Sequence, residues 1–420
     1  MKPKSYTKIL VLVESINVND SSGSKANVAL IQNLHKAGFN VLVYHYTRKE
    51  VKLPGIDCVA IKENRRSGLF FLSRLERQLR YLLKIKINKP LENIFGFSFT
   101  LFNDRKSIIA SVSKIENFDF DLVLTLSKGG SFRPHHALLK MPELHEKWMA
   151  YIHDPYPMNW YPEPYNWQEP GFKQKEVFMT EIAKNCAYAA FPSKLLMEWM
   201  GKHNINYLEK GVVIPHQIDK NDTKESVLPK YFNQKKFNIL HAGNLLWGRD
   251  PEGLIKGFLK FLNKNPQAKQ EICLLFLGGK NHYSKILSEY ELKIPQIYVS
   301  SQNVSFDEVQ VIQKACAVNV ILEAKSKISP FLPGKFPHCV SANKPILLLG
   351  PEHSESKRLL GEDYLYWAEI DDVKRIENLI ERLYFNWIEK NSIELEKPDL
   401  YEYMSEKALK ETLNAVFEKK

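Results

Sequence analysis

Lys8-Ile-Leu-Val-Leu-Val13 is followed by a polar loop from Glu14 to Ser24, then by apolar positions at Ala26, Ala29, Leu30, Leu34 and Ala37. Gly38 closes that run, and Asn40-Val-Leu-Val-Tyr44 begins another continuous apolar stretch. An unbroken apolar run of this length, rich in Val and Ile, reads as a strand buried on both faces. The three-to-four spacing that follows reads as a helix with one core face, and a glycine suits its end. Strand, loop, helix and strand inside roughly 40 residues are the repeating unit of a parallel, doubly wound sheet.

Working outward, the second half of the chain repeats the pattern. Phe237-Asn-Ile-Leu-His-Ala242 predicts a strand, Gly243-Asn-Leu-Leu-Trp-Gly-Arg249 a turn, and Pro251 to Leu262 a helix, since proline is accepted in a first helical turn. Glu271–Leu277 predicts the next strand, before Gly278 and Gly279. Further strands are expected at Phe120–Leu126, Trp148–Ile152, Ala187–Phe191, Val212–Pro215, Ile297–Val299, Val318–Leu322 and Pro345–Leu349. Helices are expected at Lys194–Met200, Phe306–Ala315 and Lys335–Ala342, and the tail from Asp371 as two amphipathic helices. Lys220 to Lys236 is polar and charged, the composition of an interdomain linker. A length of 420 residues suits two domains better than one core.

Composition narrows the partners. Lys and Arg outnumber Asp and Glu by 59 to 48, a net charge of +11, which favours anionic partners or serves solubility alone. No nucleic-acid recognition motif accompanies that charge, so nucleic acid is not an expected partner. Lys2 and Lys4 precede an apolar run too short for a signal peptide, and no apolar run is long enough to span a bilayer. Cys58, Cys186, Cys273, Cys316 and Cys339 are scattered without metal-ligand spacing, which predicts reduced thiols and a cytoplasmic setting. Between Arg65 and Lys89, Leu69, Phe70, Phe71, Leu75, Leu79, Leu82 and Leu83 are interleaved with Arg74, Arg77, Arg80, Lys84 and Lys86. Such a basic amphipathic helix fits an anionic membrane surface, and equally a solvated helix with one core face.

Ligands of open parallel sheets bind beyond the C-terminal ends of the strands. That rule selects Ser22-Gly23-Ser24, His153-Asp154, Gly243 to Arg249 and Pro330 to His338. Glycines allow close backbone approach, helix N-terminal amides favour anions, and Arg249 is suited to fork onto phosphate oxygens. Lys335 stands at an expected helix start, where a cation is electrostatically out of place unless an anion sits beside it. Two cations at two strand-to-helix turns of one sheet form a clamp for a diphosphate.

Several segments carry a family resemblance. Ala242-Gly-Asn-Leu with Gly248-Arg-Asp-Pro251 resembles the phosphate-holding turn of retaining group-1 (family 4) GT-B glycosyltransferases. Lys335-Phe-Pro-His-Cys-Val-Ser-Ala-Asn-Lys-Pro-Ile346 resembles their K-x-x-E-Y-x-x-x-G-K-P-V segment, and Val213-Ile-Pro215 with Ile218-Asp219 their interdomain signature. The resemblance implies two Rossmann-like domains facing a cleft. An acceptor domain would span 1–218, a linker 219–236 and a nucleotide-sugar domain 237–395, with 396–420 as a helix returning to the first domain. It implies transfer of a sugar from a UDP- or GDP-type donor to a glycan or lipid-linked acceptor, with retention and without a metal or other cofactor. The setting it implies is the cytoplasm or the inner face of the membrane.

Site roles follow from the same resemblance. Gly243, Asn244, Arg249 and Lys335 would hold the diphosphate, and His153 with Asp154 would meet the transferring sugar or acceptor. Ser300, Ser301, Glu323 and His338 fall in the nucleotide or ribose region, and Ser22, Gly23 and Ser24 in the acceptor or phosphate loop. The chain departs from the family where two glutamates stand eight positions apart, since it has Pro330 and His338 there. That departure motivates an alternative, a degenerate GT-B protein that binds nucleotide sugar or a partner without catalysis. The aromatic stretch Tyr156, Trp160, Tyr161, Tyr165 and Trp167 suits sugar rings or a packed loop.

Overall fold

The computed structural model describes residues 8–82, 84, 87–116, 118–219, 227–390 and 392–418. The chain forms two compact units. One runs to Gln217 and takes the chain up again from Ser405, and the other spans Ile218–Met404.

The first unit holds strands β1 (Lys8–Val13), β2 (Asn40–His45), β3 (Asp57–Ala60), β4 (Leu122–Leu126), β5 (Trp148–Tyr151), β6 (Tyr188–Phe191) and β7 (Gly211–Val213). They form one parallel sheet in the order β3-β2-β1-β4-β5-β6-β7. Alternate residues of β1 feed two cores. Leu10 and Leu12 pack with Val123, Trp148 and Ile182 on one face, and Ile9, Val11 and Val13 with Ile31 and Leu34 on the other. This is why β1 has no polar alternation. Burying each such side chain contributes about 1.5–3 kcal/mol. The Glu406–Glu418 helix adds Leu409, Leu413, Val416 and Phe417 to the second core, one helical stripe.

The second unit holds β8 (Phe237–Ala242), β9 (Ile272–Leu277), β10 (Ile297–Val299), β11 (Val318–Leu322), β12 (Ile346–Leu349) and β13 (Trp367–Ala368). Its parallel sheet runs β10-β9-β8-β11-β12-β13, the same winding as the first. Phe237 and Ile239 face a core with Leu254, Phe258 and Phe261, while Leu240 and Ala242 face Phe232 and Ile312. The doubly wound α/β architecture expected from the sequence is therefore present twice. Serine side chains cap the starts of the helices at Ser22, Phe99, Lys194, Phe306 and Glu355, each worth about 1 kcal/mol.

Some expectations change. β3 and β13 were not anticipated; both are sheet edges, one alternating exposed with half-buried residues and the other two residues long. The tail from Asp371 forms three helices rather than two, Val373–Lys390, Pro398–Tyr403 and Glu406–Glu418, because Pro398 opens a short helix of its own. Within the stretch 396–420, Leu400 and Met404 pack in the second unit, and the chain rejoins the first only at Ser405. Of the expected linker, 220–226 lies outside the described residues, and from Leu228 onward Tyr231 and Phe232 pack on the second unit. The basic stretch 65–89 forms the helix Gly68–Leu82 and the start of a second helix, Asn88–Phe95; Leu83 and Lys86 lie outside the described residues.

Candidate functional site

In the second unit β8 and β11 are neighbours from which the chain winds outward in opposite directions, so the ligand-binding switch point of the sheet lies at their C-terminal ends. Gly243 follows β8 with φ +122°, a conformation side chains rarely adopt. A Cβ there would lie 3.4 Å from the Lys335 Nζ, and a Cβ on Gly278 only 2.7 Å from the Gly243 carbonyl oxygen. Backbone therefore packs on backbone at this turn. The Gly243 amide donates to the Leu277 carbonyl (2.7 Å) and the Gly279 amide to the Asn244 Oδ1 (3.0 Å). Asn244 thus ties two loops together.

Lys335 caps the Phe336–Ser341 helix, which at six residues has little dipole. What marks Lys335 is its company. Its Nζ lies 2.9 Å from the Nε2 of His241, a fully buried residue of β8. Burial, then the charges of Lys335 and Arg249, push the His241 imidazole well below its usual range. It is neutral at pH 7, and its Nε2 lone pair accepts from Lys335. Lys335 keeps partial exposure, yet it is crowded enough that desolvation, followed by the Arg249 charge, lowers it to about 7. The Arg249 Nε is buried without a partner. Among the described residues neither Arg249 nor Lys335 has a carboxylate within ion-pair distance.

Glu323, one residue beyond β11, is only 3% exposed. Its Oε1 accepts from the Ser356 hydroxyl (2.5 Å), and its Oε2 is buried and makes no hydrogen bond of ordinary geometry. Burial raises its pKa, against the Ser329 and Ser356 hydroxyls and the Arg249 charge. Two basic side chains without an ion pair, beside one incompletely bonded carboxyl, can take an anionic group together with a neighbouring hydroxyl donor.

In the first unit the switch point lies at the ends of β1 and β4. Asn27, on the Ser22–Lys36 helix, donates from Nδ2 to the Ser127 carbonyl (3.0 Å), which turns its Oδ1 toward the His153 Nε2 (2.6 Å). The His153 amide donates to the Ser127 hydroxyl (3.0 Å), and its ring stacks on His216 with centroids 5.3 Å apart. Burial, then His216 and His135, push His153 well below the usual histidine range. The ring is neutral, with Nε2 protonated toward Asn27 and its lone pair on Nδ1. Cations at this end are compensated: Arg133 reaches Glu14 (2.9 Å) and Asp104 (2.7 Å), and Lys128 lies 3.8 Å from Glu14.

No protein-family model matches the chain, and no curated protein matches it in sequence. Solved structures do. An E. coli trehalose-6-phosphate protein bound with UDP-2-fluoro glucose superposes with TM-score 0.61 at 10% identity, covering 99% of both chains. The lipopolysaccharide outer core galactosyltransferase WaaB in its apo form gives 0.56 at 11%, covering 98% of this chain and 99% of that one. A Rickettsia africae glycosyltransferase gives 0.56 at 12%, covering 99% and 97%. The fold is GT-B.

Within this GT-B fold the sequence-selected residues separate into those at the switch points and those with other duties. Gly243, Asn244, Arg249, Lys335 and Glu323 gather at the second unit's switch point. Asp250, through its Oδ1, takes the Glu252 amide (2.9 Å), the first amide of the Glu252–Lys264 helix. The Ser300 hydroxyl is held by the Gly278 amide (2.9 Å) and carbonyl (2.8 Å), and Ser301 is exposed. His338 sets its ring edge-on to Phe306 at 5.0 Å. In the first unit Ser21 Oγ caps the helix by accepting from the Ser24 amide (3.1 Å), which leaves Ser24 fully buried, Ser22 exposed and Gly23 against Lys128.

Asp154 lies at the Ser127–Ser131 turn, where a Cβ on Gly129 would come within 3.9 Å of its Oδ2. Asp119 and Asp121 hold Lys8 at the opposite, N-terminal edge of the sheet. Of the aromatic stretch, Tyr156 and Trp160 are buried, with Trp160 stacked on His203, while Trp167 is exposed. Among the described residues no group of three or more His, Cys, Asp or Glu is placed to hold a metal ion. Sequence reading missed His241 and Asn27. His241 is one of two polar residues, with Asn238, inside a strand buried throughout, and that was its only signal.

Proposed function

We propose that the chain is a glycosyltransferase. Its second unit takes a nucleotide-diphosphate sugar of UDP or GDP type, and its first unit receives a glycan or lipid-linked acceptor, as in the building of polysaccharide or glycolipid. The observation that carries this reading is the pair Arg249 and Lys335, gathered at a GT-B switch point with no ion pair to a carboxylate among the described residues. The fold neighbour bound with UDP-2-fluoro glucose supports the donor class.

In the proposed reaction the bond from the sugar C1 to the diphosphate oxygen breaks, and a bond from an acceptor hydroxyl oxygen to C1 forms on the same face. The acceptor proton ends on the leaving diphosphate. Arg249 and Lys335 stabilise the charge that grows there, being already in place before it develops. The Glu323 Oε2 accepts a hydroxyl of the nucleotide sugar, in place of the family's glutamate pair. His153 offers its Nδ1 lone pair to a sugar hydroxyl.

Calorimetry with UDP and GDP tests the clamp. Arg249→Ala and Lys335→Ala should each weaken binding by about 1.5–3 kcal/mol, the range for hydrogen bonds to charged groups. Unchanged affinity in both variants overturns it. A second reading, binding without catalysis, is motivated by His338 standing where the family has glutamate. Binding with no release of nucleotide from any UDP- or GDP-sugar, slow hydrolysis included, would favour it.

A further inference from the structure

The Gly68–Leu82 helix is packed inside out. Its fully buried side chains are Ser73 and Glu76, while Phe71, Leu72, Leu75 and Leu82 are exposed by 64%, 45%, 51% and 79%. Positions 71, 75 and 82 share one face of a helix, with 72 at its margin, so these residues form a stripe and not scattered exceptions. Single exposed apolar residues are ordinary, whereas a contiguous patch marks a contact surface.

The helix is tethered where it begins. The Asn64 amide donates to the Ser107 Oγ (2.9 Å) and Ser67 bonds Asn103, while the buried Ser73 Oγ turns back to the Phe70 carbonyl of its own helix (2.8 Å). The following helix, Asn88–Phe95, has no buried residue and is anchored by its end. The Gln174 Nε2 donates to the Asn93 and Ile94 carbonyls (3.0 and 3.2 Å), and the Gly171 amide to the Asn93 Oδ1 (3.1 Å). Ile94 and Phe95 remain 67% and 47% exposed. With Ser73 and Glu76 turned inward, the apolar stripe is left outward.

Charge selects the occupant. Residues 62–89 contain nine Lys and Arg against two Glu. Arg74, beside the stripe, lies over the Phe70 ring with its guanidinium carbon 4.9 Å from the centroid, and Arg80 lies over the Tyr81 ring at 5.4 Å. Long cationic side chains over aromatic rings, flanking an apolar stripe, suit the boundary between acyl chains and anionic headgroups. An acidic protein groove would match the charge but would not need so many apolar side chains rimmed by arginine. Among the described residues no helix is long and apolar enough to cross a membrane. We infer that the Gly68–Leu82 and Asn88–Phe95 helices form a docking face that lies in the surface of an anionic bilayer, with Phe71, Leu75 and Leu82 entering the acyl boundary. This surface belongs to the first unit and does not depend on the donor-site reading.

Flotation of the full chain tests it, with vesicles of phosphatidylcholine alone and of phosphatidylcholine mixed with phosphatidylglycerol. The chain should float with the mixed vesicles and not with the neutral ones, and high salt should release it. Arg74→Gln with Lys89→Gln should lower the partition coefficient about tenfold or more, the effect of losing two charges at such a surface. Phe71→Ser with Leu75→Ser should abolish flotation while leaving the melting temperature and UDP affinity unchanged, since both side chains are exposed. Failure to float with anionic vesicles overturns the inference. So does equal flotation of the serine variant, or a wild-type dimer that this variant converts to monomer, because a second copy would then cover the stripe.

Discussion

Raising the pH from 7 to 9 should weaken binding of a nucleoside diphosphate through one residue. Lys335 is lowered to about 7 by burial and by Arg249. A bound diphosphate favours the charged ammonium and holds it protonated. The apparent affinity then follows the fraction of free protein in which Lys335 already carries its proton. That fraction is about one half at pH 7 and about one hundredth at pH 9, a loss of roughly fiftyfold or about 2.3 kcal/mol. The nucleotide's own terminal phosphate titrates near 6 and adds little across this window. Stability moves the other way. The unfolded chain holds the Lys335 proton up to about 10.5, so the cost of this buried amine is largest below pH 7 and fades as the pH rises toward that value. Calorimetry with UDP, in two buffers of different ionisation enthalpy, should find proton uptake near one half at pH 7 and near one at pH 9. Lys335→Arg should bind with little pH dependence, because a guanidinium stays charged throughout. Equal wild-type affinity at both pH values without proton uptake, or a pH dependence that survives in Lys335→Arg, would refute the reasoning.

Two further outcomes are expected. Burial holds His135 down to about 3 and pushes His136, His153 and His241 well below the usual histidine range. Below pH 6.5 the unfolded chain takes up these protons and the folded chain does not, so His135 alone should cost about 2 kcal/mol between pH 6.5 and 5. Urea midpoints at pH 7 and 5 that coincide would contradict this. Gly278→Ala places a Cβ 2.7 Å from the Gly243 carbonyl oxygen and should destabilise the second unit by about 1–3 kcal/mol while weakening UDP binding. Gly68→Ala, with nothing within 4 Å, is the neutral control, and equal melting temperatures and affinities in the two variants would rule out the close loop contact.

Much of the fold could be read along the chain. The runs at β1, β4, β8 and β11 are mostly apolar without alternation because each strand is buried on both faces, as in a parallel sheet covered by helices. Turns follow the same logic: Gly243 and Gly278 stand where backbone must meet backbone. Two of the four edge strands were hard to see, since β3 has four residues, none of them buried, and β13 has only two, so each carries little pattern. The amphipathic pattern at 68–82 was plain, but which face points to the core was not, because a helix period is the same whether its apolar stripe turns inward or outward.

The candidate site divides in the same way. Residue type and position after a strand were enough to select Arg249, Lys335 and His153, because the chemistry of a guanidinium, an amine or an imidazole at a strand end is local. Their states were not local. Lys335 is an amine poised near neutrality because folding buries it and sets Arg249 of a different loop beside it, and Arg249 lies more than eighty residues away in the chain. His153 has one protonated nitrogen facing Asn27 because a helix more than a hundred residues earlier sets an amide beside it. Serine at 24 or 300 looked available for a ligand until folding paired its hydroxyl, Ser24 with the Ser21 hydroxyl and Ser300 with the Gly278 backbone. The sequence by itself determined the winding of the chain and which side chains stand at the strand ends. Only the tertiary structure decided their charge, their partners and their exposure, since desolvation and hydrogen bonding depend on atoms brought together by folding and not on neighbours along the chain.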